Sequence, residues 1–442
     1  MKSIAVLIIA SLLPAPVLAQ QPAAEAFVAE ALAANRTARS ERLALDRDRA
    51  ARTRARRLYL PALSVEAQWT EQNGGADIGA LVNPAFAALN RITGTAEFPT
   101  DVSFRFPLRQ DARFRLAMPV FDAAIGAAIR AAEATHDGQG ARLEATERDL
   151  TAALRTGLLG HAAASELVRV RAAVLEALAE QLRAAESRVA AGVDAPDVVL
   201  RTRADRSEGA QLLLEAEQAR DAAGRALNRL ARRPLDAPLP EVTDSTFAVP
   251  VPASLDVALG AVGGRAELAA AEAAVGGAAA ARRVALAASV PAVQVALDYG
   301  WQGDSWRFTS DRDFAQLTVQ ARWTPFAFGR NALRRTEARL DAERAELARD
   351  EMRDQLTLEV TEAWEAFGTA RAATEPARDR AAAAVRNLEL VRRRWDEGVA
   401  THLELVSARA AATAAEVQEI VSRYQLAQAR VALVRATTTS GR

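Results

Sequence analysis

The chain has 442 residues, half of them hydrophobic, and its 56 basic residues are balanced by 56 acidic ones. A neutral balance gives no reason to expect a nucleic-acid partner. Cysteine is absent, which excludes disulfides, thiolate metal sites and a lipid anchor on an N-terminal Cys.

Residues 1–19 read as a secretory signal. Lys2 gives a positive start, residues 4–13 are a short apolar run, and Val17-Leu18-Ala19 offers a small-residue cleavage site before Gln20. The run is too short to span a bilayer, and no later segment approaches ~20 uncharged apolar residues. Residues 23–58, without glycine or proline, predict one helix. From about 61 to 70 the period changes to two. Leu63, Val65, Ala67 and Trp69 alternate with Ser64, Glu66 and Gln68, which predicts a strand with one apolar face. Residues 70–101 carry Asn-Gly-Gly, Asn-Pro and Phe-Pro and read as a long loop. A second strand, about 102–119, puts Val102, Phe104, Phe106, Leu108, Phe114, Leu116 and Met118 on one face. Arg105, Arg109, Arg113 and Arg115 fall on the other.

Residues 122–191 then read as helix, with Val168, Leu175, Leu182 and Val189 seven apart and Gly138 and Gly140 as possible interruptions. Such a helix would span ~100 Å. A glycine tip at 191–195 turns the chain, and a return helix runs to about 231. Proline-rich residues 232–253 form an inter-repeat linker. A helix over 255–288, weakened by two Gly-Gly pairs, leads to strands at about 291–302 and 313–324. In these Val293, Val295, Leu297, Tyr299 and Trp301, then Leu317, Val319 and Trp323, share the apolar face. A helix from about 330 to 396 holds Pro376, which should kink or break it. A second tip at 397–401 follows. The last helix steps Val406, Ala410, Thr413, Val417, Ile420, Tyr424, Ala427, Val431 and Val434, a coiled-coil seam.

The two tips are versions of one sequence. Arg188, Gly192, Val193, Arg203 and Ala204 recur as Arg394, Gly398, Val399, Arg409 and Ala410. Glycine suits the residue just past a helix end, where φ is positive. Two hairpins, each fed by two strands, make the chain a duplication: a first repeat over 20–231 and a second over 254–442. Four strands with an exposed apolar face and open edges must close or aggregate. In an exported chain, aromatic-ended alternating strands fit an outer-membrane barrel, with Trp69, Tyr299, Trp301 and Trp323 in its aromatic girdle. Four strands are too few to enclose a channel, so several copies must contribute. A soluble sandwich with one solvated face is the other reading.

The order strand, loop, strand, long helix, tip, helix, twice over, resembles the TolC-like outer membrane efflux proteins. Its specific marks are the two tips and the strand-to-helix prolines Pro119 and Pro325. The resemblance covers nearly the whole mature chain. It implies an α/β membrane protein: a homotrimer whose twelve-stranded barrel sits in outer-membrane lipid of a Gram-negative bacterium. A long helical coiled-coil barrel would continue it through the periplasm. It implies an exit duct fed by an inner-membrane transporter, of RND, ABC or MFS type, through a periplasmic adaptor. Gly192, Val193, Gly398 and Val399 would then be docking tips for the adaptor. The family's pore-lining acids would correspond to Glu404 and Ser407 in the second repeat, and to Val198, with Asp197 beside it, in the first. The family's arginine two residues after the second tip glycine is replaced by Ala400. A periplasmic coiled-coil adaptor is the alternative from another class, and would bring one hairpin between compact β domains.

Nothing in the sequence points to an enzyme, a cofactor or a metal. His136, His161 and His402 stand far apart, without a nucleophile or ligand motif around them. The arginines of the polar strand face, Arg105, Arg109, Arg113, Arg115 and Arg322, outnumber Glu66 and Asp298. That excess either favours anions in the lumen or is simply a solvated wall.

Overall fold

The structure, a computed structural model, describes residues 17–71, 77–103, 110–193 and 195–439. Most of the signal segment lies outside the described residues. So do Asn73-Gly74-Gly75, the strand positions Phe104, Arg105, Phe106, Leu108 and Arg109, and Asp194 of the first tip. In chain order the elements are α1 Val17–Ala34, α2 Arg36–Arg56, β1 Ala62–Trp69, α3 Gly79–Thr93, β2 Gln110–Phe121, α4 Ala123–Ala190 and α5 Asp197–Leu230. They continue with α6 Leu255–Leu259, α7 Ala266–Ala287, β3 Ala292–Gly303, β4 Asp313–Arg322, α8 Arg330–Asp396 and α9 His402–Thr437.

Two compact units interleave along the chain. One takes Met1–Asp48, Thr135–Val275 and Ala345–Arg442; the other takes Arg49–Ala134 and Gly276–Arg344. Each unit draws on both sequence repeats.

The first unit is helical. Its larger core packs Phe27 and Val28 of α1, Leu154, Leu158 and Leu159 of α4, Leu227 of α5, and Ile420, Tyr424 and Val431 of α9. Each large side chain fully buried there contributes about 1.5–3 kcal/mol. Phe247 of the proline-rich segment joins this core, so that segment packs as well as connects. A smaller core joins Ala258 and Val262, Leu268 of α7, Leu356 and Val360 of α8, and Ala436 of α9. Beside it, Arg265 is fully buried and donates to Glu267 at 2.8 and 3.1 Å and to the Ala436 carbonyl. Arg148 also donates to Glu267, and Arg435 to Glu359 and Asp149. Burial pushes the Glu267 carboxyl up, but the hydrogen bonds from Arg265 and Arg148 outweigh it and hold it down at about 2.

The second unit holds the sheet, which is four-stranded and antiparallel in the order β1-β2-β3-β4. Its register sets one row of leucines across all four strands, Leu63, Leu116, Leu297 and Leu317. Val65, Phe114, Tyr299 and Ala315 form the next row on the same face.

Several sequence expectations are corrected. The helix predicted over 23–58 is two helices, because the Asn35 side chain accepts the Thr37 and Ala38 amides and starts a new helix at Arg36. The predicted loop over 70–101 contains α3. Gly94 closes it at φ 67, and the Asn83 and Asn90 side chains bond both backbone groups of Val102 and Phe98. The helix predicted over 255–288 breaks at residues 260–265 and runs straight through Gly276-Gly277. Likewise α4 continues through Gly138 and Gly140, and α8 continues through Pro376. Buried Ala377 and Ala381 just beyond Pro376 hold α8 by packing where one backbone bond is lost. Pro119 lies within β2, at a register shift between Pro119 and Phe121, and so not at the strand-helix junction itself. Pro325 does lie in the turn between β4 and α8.

Candidate functional site: the helical tips and the two strand faces

Both hairpins of the helical unit turn by the same backbone device. At the end of α4 the Gly192 amide donates to the Val189 carbonyl at 3.0 Å and the Val193 amide to Arg188 at 2.9 Å. At the end of α8 the Gly398 amide donates to Trp395 at 3.0 Å and the Val399 amide to Arg394 at 2.8 Å. These are Schellman closures, which need a left-handed residue at the turn, and the two glycines have φ of 71 and 77. The same repeat position then presents an exposed valine at each tip, Val193 at 64% and Val399 at 65%. Leu200 and Leu403 on the return helices are exposed beside them.

The return helices start differently. α5 begins behind Pro196 without a side-chain cap, and Asp197 in its first turn pairs with Arg201 at 3.0 Å. α9 begins with a capping box that sequence reading missed, although Thr401-His402-Leu403-Glu404 spells it. The Glu404 amide donates to Thr401 Oγ1 at 3.3 Å, and the Glu404 carboxylate accepts the Thr401 amide at 2.6 Å. The Thr401 amide, and after it the Thr401 hydroxyl donating at 3.0 Å, hold the Glu404 carboxyl below its usual range, with a smaller contribution from Arg394 at 4.0 Å. Glu404 and Ser407 are both exposed. The structure therefore gives Glu404 a local task at the start of α9.

The tips touch each other through groups the sequence did not single out. The Arg188 guanidinium lies 5.0 Å from the Trp395 ring centre, and the His402 ring centre is 5.7 Å from that of Trp395. Arg409 donates to Gln181 on α4. In the first hairpin Arg203 pairs with Glu186 at 3.4 Å. The equivalent pair in the second is Arg409 and Arg392, two like charges. Burial first, and then Arg392, lower the Arg409 pKa, and Arg409 reaches across to the other hairpin.

In the sheet unit the apolar face is bare along the middle of the strands. Leu63 and Val65 are each 69% exposed and Leu317 is 69%, while Phe114, Leu116, Met118, Leu297 and Val319 are exposed with them. On the opposite face Ser64, Arg115, Asp298 and Gln316 form a row. Arg115 grips Asp298 with two bonds of 2.8 and 3.0 Å, and Glu66 stands 3.5 Å away. Arg113 is paired with Asp111. These two arginines are therefore neutralised by neighbouring carboxylates, which removes their share of the suggested anion preference. Trp69, Tyr299 and Trp301 gather toward one end of the strands. Trp323 stands at the other, its Nε1 donating to the Ser289 carbonyl at 3.2 Å, and the tilted ring pair Phe326 and Phe328 follows it in the chain.

Among the described residues no group of three His, Asp or Glu side chains could hold a metal ion. No described helix is long and apolar enough to cross a membrane.

Residues 261–439 match the family model for outer membrane efflux proteins. No curated protein matches the sequence. Among solved structures, CusC, studied for folding and transmembrane channel formation, is 16% identical with a TM-score of 0.79, covering 97% of this chain and 96% of its own. The outer membrane protein VceC of Vibrio cholerae is 17% identical with a TM-score of 0.78, covering 95% and 98%. The open-state MtrE outer membrane channel of Neisseria gonorrhoeae is 20% identical with a TM-score of 0.76, covering 94% and 89%. Over its second half the sequence thus matches the outer membrane efflux proteins, and over nearly its whole length the chain shares the fold of these solved structures.

Proposed function

We propose that this chain forms the outer-membrane exit duct of a tripartite efflux or type I secretion system. The observation that carries the reading is the sheet. Its apolar face is exposed along the whole leucine row, its other face is polar, and β1 and β4 leave open edges. In water that combination is an aggregation hazard. In a bilayer, three copies joined edge to edge give twelve strands, with the leucine row toward lipid and the Arg115–Asp298 row toward a wet lumen. Trp69, Tyr299 and Trp301 then mark one membrane interface, and Trp323 with Phe326 and Phe328 the other.

The helical hairpins serve the periplasmic end. Val193 and Val399 offer a periplasmic adaptor small apolar knobs held rigidly by the Schellman turns, and Glu404, Asp197 and Ser407 line the mouth. An inner-membrane pump of RND, ABC or MFS type supplies the substrate and chooses it. An adaptor role for this chain itself is set aside, because two equivalent hairpins and a membrane-type sheet share one fold. Export places the mature chain beyond the inner membrane, with cleavage after about Ala19 and no cysteine to lipidate.

Planar-bilayer recording tests the reading. Purified protein added to one side should insert and give discrete ohmic channels. Protein that stays in solution and never conducts would contradict it.

A further inference from the structure

Gln110 starts β2 on the apolar face, opposite Trp69 in the register, and yet it is only 1% exposed. What covers it is the loop between β3 and β4. The Arg307 amide donates to Gln110 Oε1 at 3.1 Å. Trp306 stacks on Trp69 with ring centres 6.0 Å apart and planes 19° apart. Phe308 meets Trp301 edge-on at 5.4 Å and 86°. Trp69 and Trp301 belong to the odd-numbered, apolar series of their strands. The loop leaves the β3–β4 end, crosses β2 and reaches the outermost strand β1, all on the apolar side. Its base is closed by the Gln302 amide on the Arg312 carbonyl at 3.0 Å and by Arg312 on Asp304 at 2.6 Å.

From this placement we propose that residues 304–312 are a membrane-interface anchor folded outward onto the lipid-facing wall, and not a lid over the channel mouth. The proposal rests on the outer-membrane reading above. Its occupant is the headgroup zone of the bilayer, argued from continuity: the loop extends the bare apolar wall at the strand ends. Trp306 and Phe308 stay 48% and 58% exposed even after stacking, so one side of each ring still lacks a neighbour. Aromatic rings with a polar edge settle at that depth. Exposed Arg307 between the two rings supplies a cation for headgroup phosphates.

The chain has no native cysteine, so single reporters can be placed cleanly. Phe308→Cys and, separately, Trp306→Cys and Leu317→Cys carry an environment-sensitive fluorophore in reconstituted vesicles. Quenchers are a headgroup nitroxide lipid, an acyl-chain nitroxide lipid and aqueous iodide. At positions 306 and 308 most emission should be lost to the headgroup nitroxide and little to iodide; at 317 most should be lost to the acyl-chain nitroxide. Dominant iodide quenching at 306 and 308, with 317 still quenched from the acyl chains, would overturn the anchor and leave the barrel standing. Iodide quenching at all three would sink the barrel reading as well. As an independent readout, the double variant Trp306→Ser, Phe308→Ser should keep the wild-type single-channel conductance. A raised conductance would mean that the loop had been obstructing the mouth, against the proposal.

Discussion

Arg188 holds its guanidinium 5.0 Å from the centre of the Trp395 ring, so the closing turn of the first hairpin rests on the closing turn of the second. Both residues are part of the Schellman closures, since the Arg188 carbonyl accepts the Val193 amide and the Trp395 carbonyl accepts the Gly398 amide. Both residues are half-buried, and a cation–π contact contributes about 0.5–1 kcal/mol at an exposed site and more where it is desolvated. Arg188→Ala and Trp395→Leu should each speed hydrogen exchange at the Val193 and Val399 amides severalfold. The double variant should do little more than either single one. Fully additive effects would show that the two tips are independent.

Gly398 tests the turn itself. A Cβ there would meet nothing within 4 Å, so the cost of substitution is conformational and not a clash. Gly398→Val should add about 1–2 kcal/mol of left-handed strain. Gly398→Asn should be mild, because asparagine adopts that region more readily. Substrate export in cells that depend on this protein should fall for the valine variant and stay near wild type for asparagine. Equal export by both would remove the tip geometry from the mechanism.

Glu404 has two separable properties, its charge and its capping bonds. Glu404→Gln keeps a group that can reach the Thr401 amide, while Thr401→Ala keeps the charge and costs the helix about 1 kcal/mol. If Glu404 lines the mouth, Glu404→Gln should lower cation preference in low-salt bilayer recordings, and Thr401→Ala should change it less. Asp197→Asn should have a smaller effect than Glu404→Gln. The bonds from Thr401 depress the Glu404 pKa, so its charge should persist below the usual carboxylate range. Cation preference would then fade only as pH drops through that depressed value. Unchanged selectivity in Glu404→Gln would assign the residue to capping alone.

The Arg265 network predicts an acid limit. The Glu267 carboxyl titrates at about 2 in the fold against an ordinary 4.5. Its folded pKa is depressed, so its contribution is complete above 4.5 and is lost as pH falls toward 2. Glu267→Gln should flatten the decline of melting temperature across that interval. Arg265→Met leaves carboxylates without their buried partner and should cost about 3 kcal/mol or more. A melting profile of Glu267→Gln parallel to wild type would contradict the assignment.

Period and repeat made the strands and hairpins legible, because each leaves a mark every two or seven residues. What escaped depends on single side chains. The amide of Asn35 breaks a helix that propensity alone would continue. Asn83 and Asn90 build α3 inside a segment whose turn residues suggested a loop. The seam of α9 was legible only in part. Ile420, Tyr424, Ala427 and Val431 are buried, but nearer the tip Leu405, Ala408, Ala412 and Ala415 take the buried places. Val406, Thr413 and Val417 instead line a cavity of about 440 Å³ with Leu178 and Leu212. A heptad pattern marks a face about 100° wide, and neighbouring helices decide which edge of it is covered. The capping box is spelled by Thr401 and Glu404, but the same carboxylate also fits a bare surface charge, and only its hydrogen bonds tell the two roles apart. The contacts between Arg188 and Trp395, and between Trp306 and Trp69, join residues too distant in sequence for any spacing to reveal.

The claim that three copies share one membrane barrel is tested most directly by native mass spectrometry of the protein extracted in mild detergent from isolated outer membranes. The account predicts recovery in that fraction as a trimer, kept together by pairing of β1 with β4 of the next copy, and dissociated by prolines placed at Val65 and Val319. A monomer recovered from the soluble periplasmic fraction would contradict it.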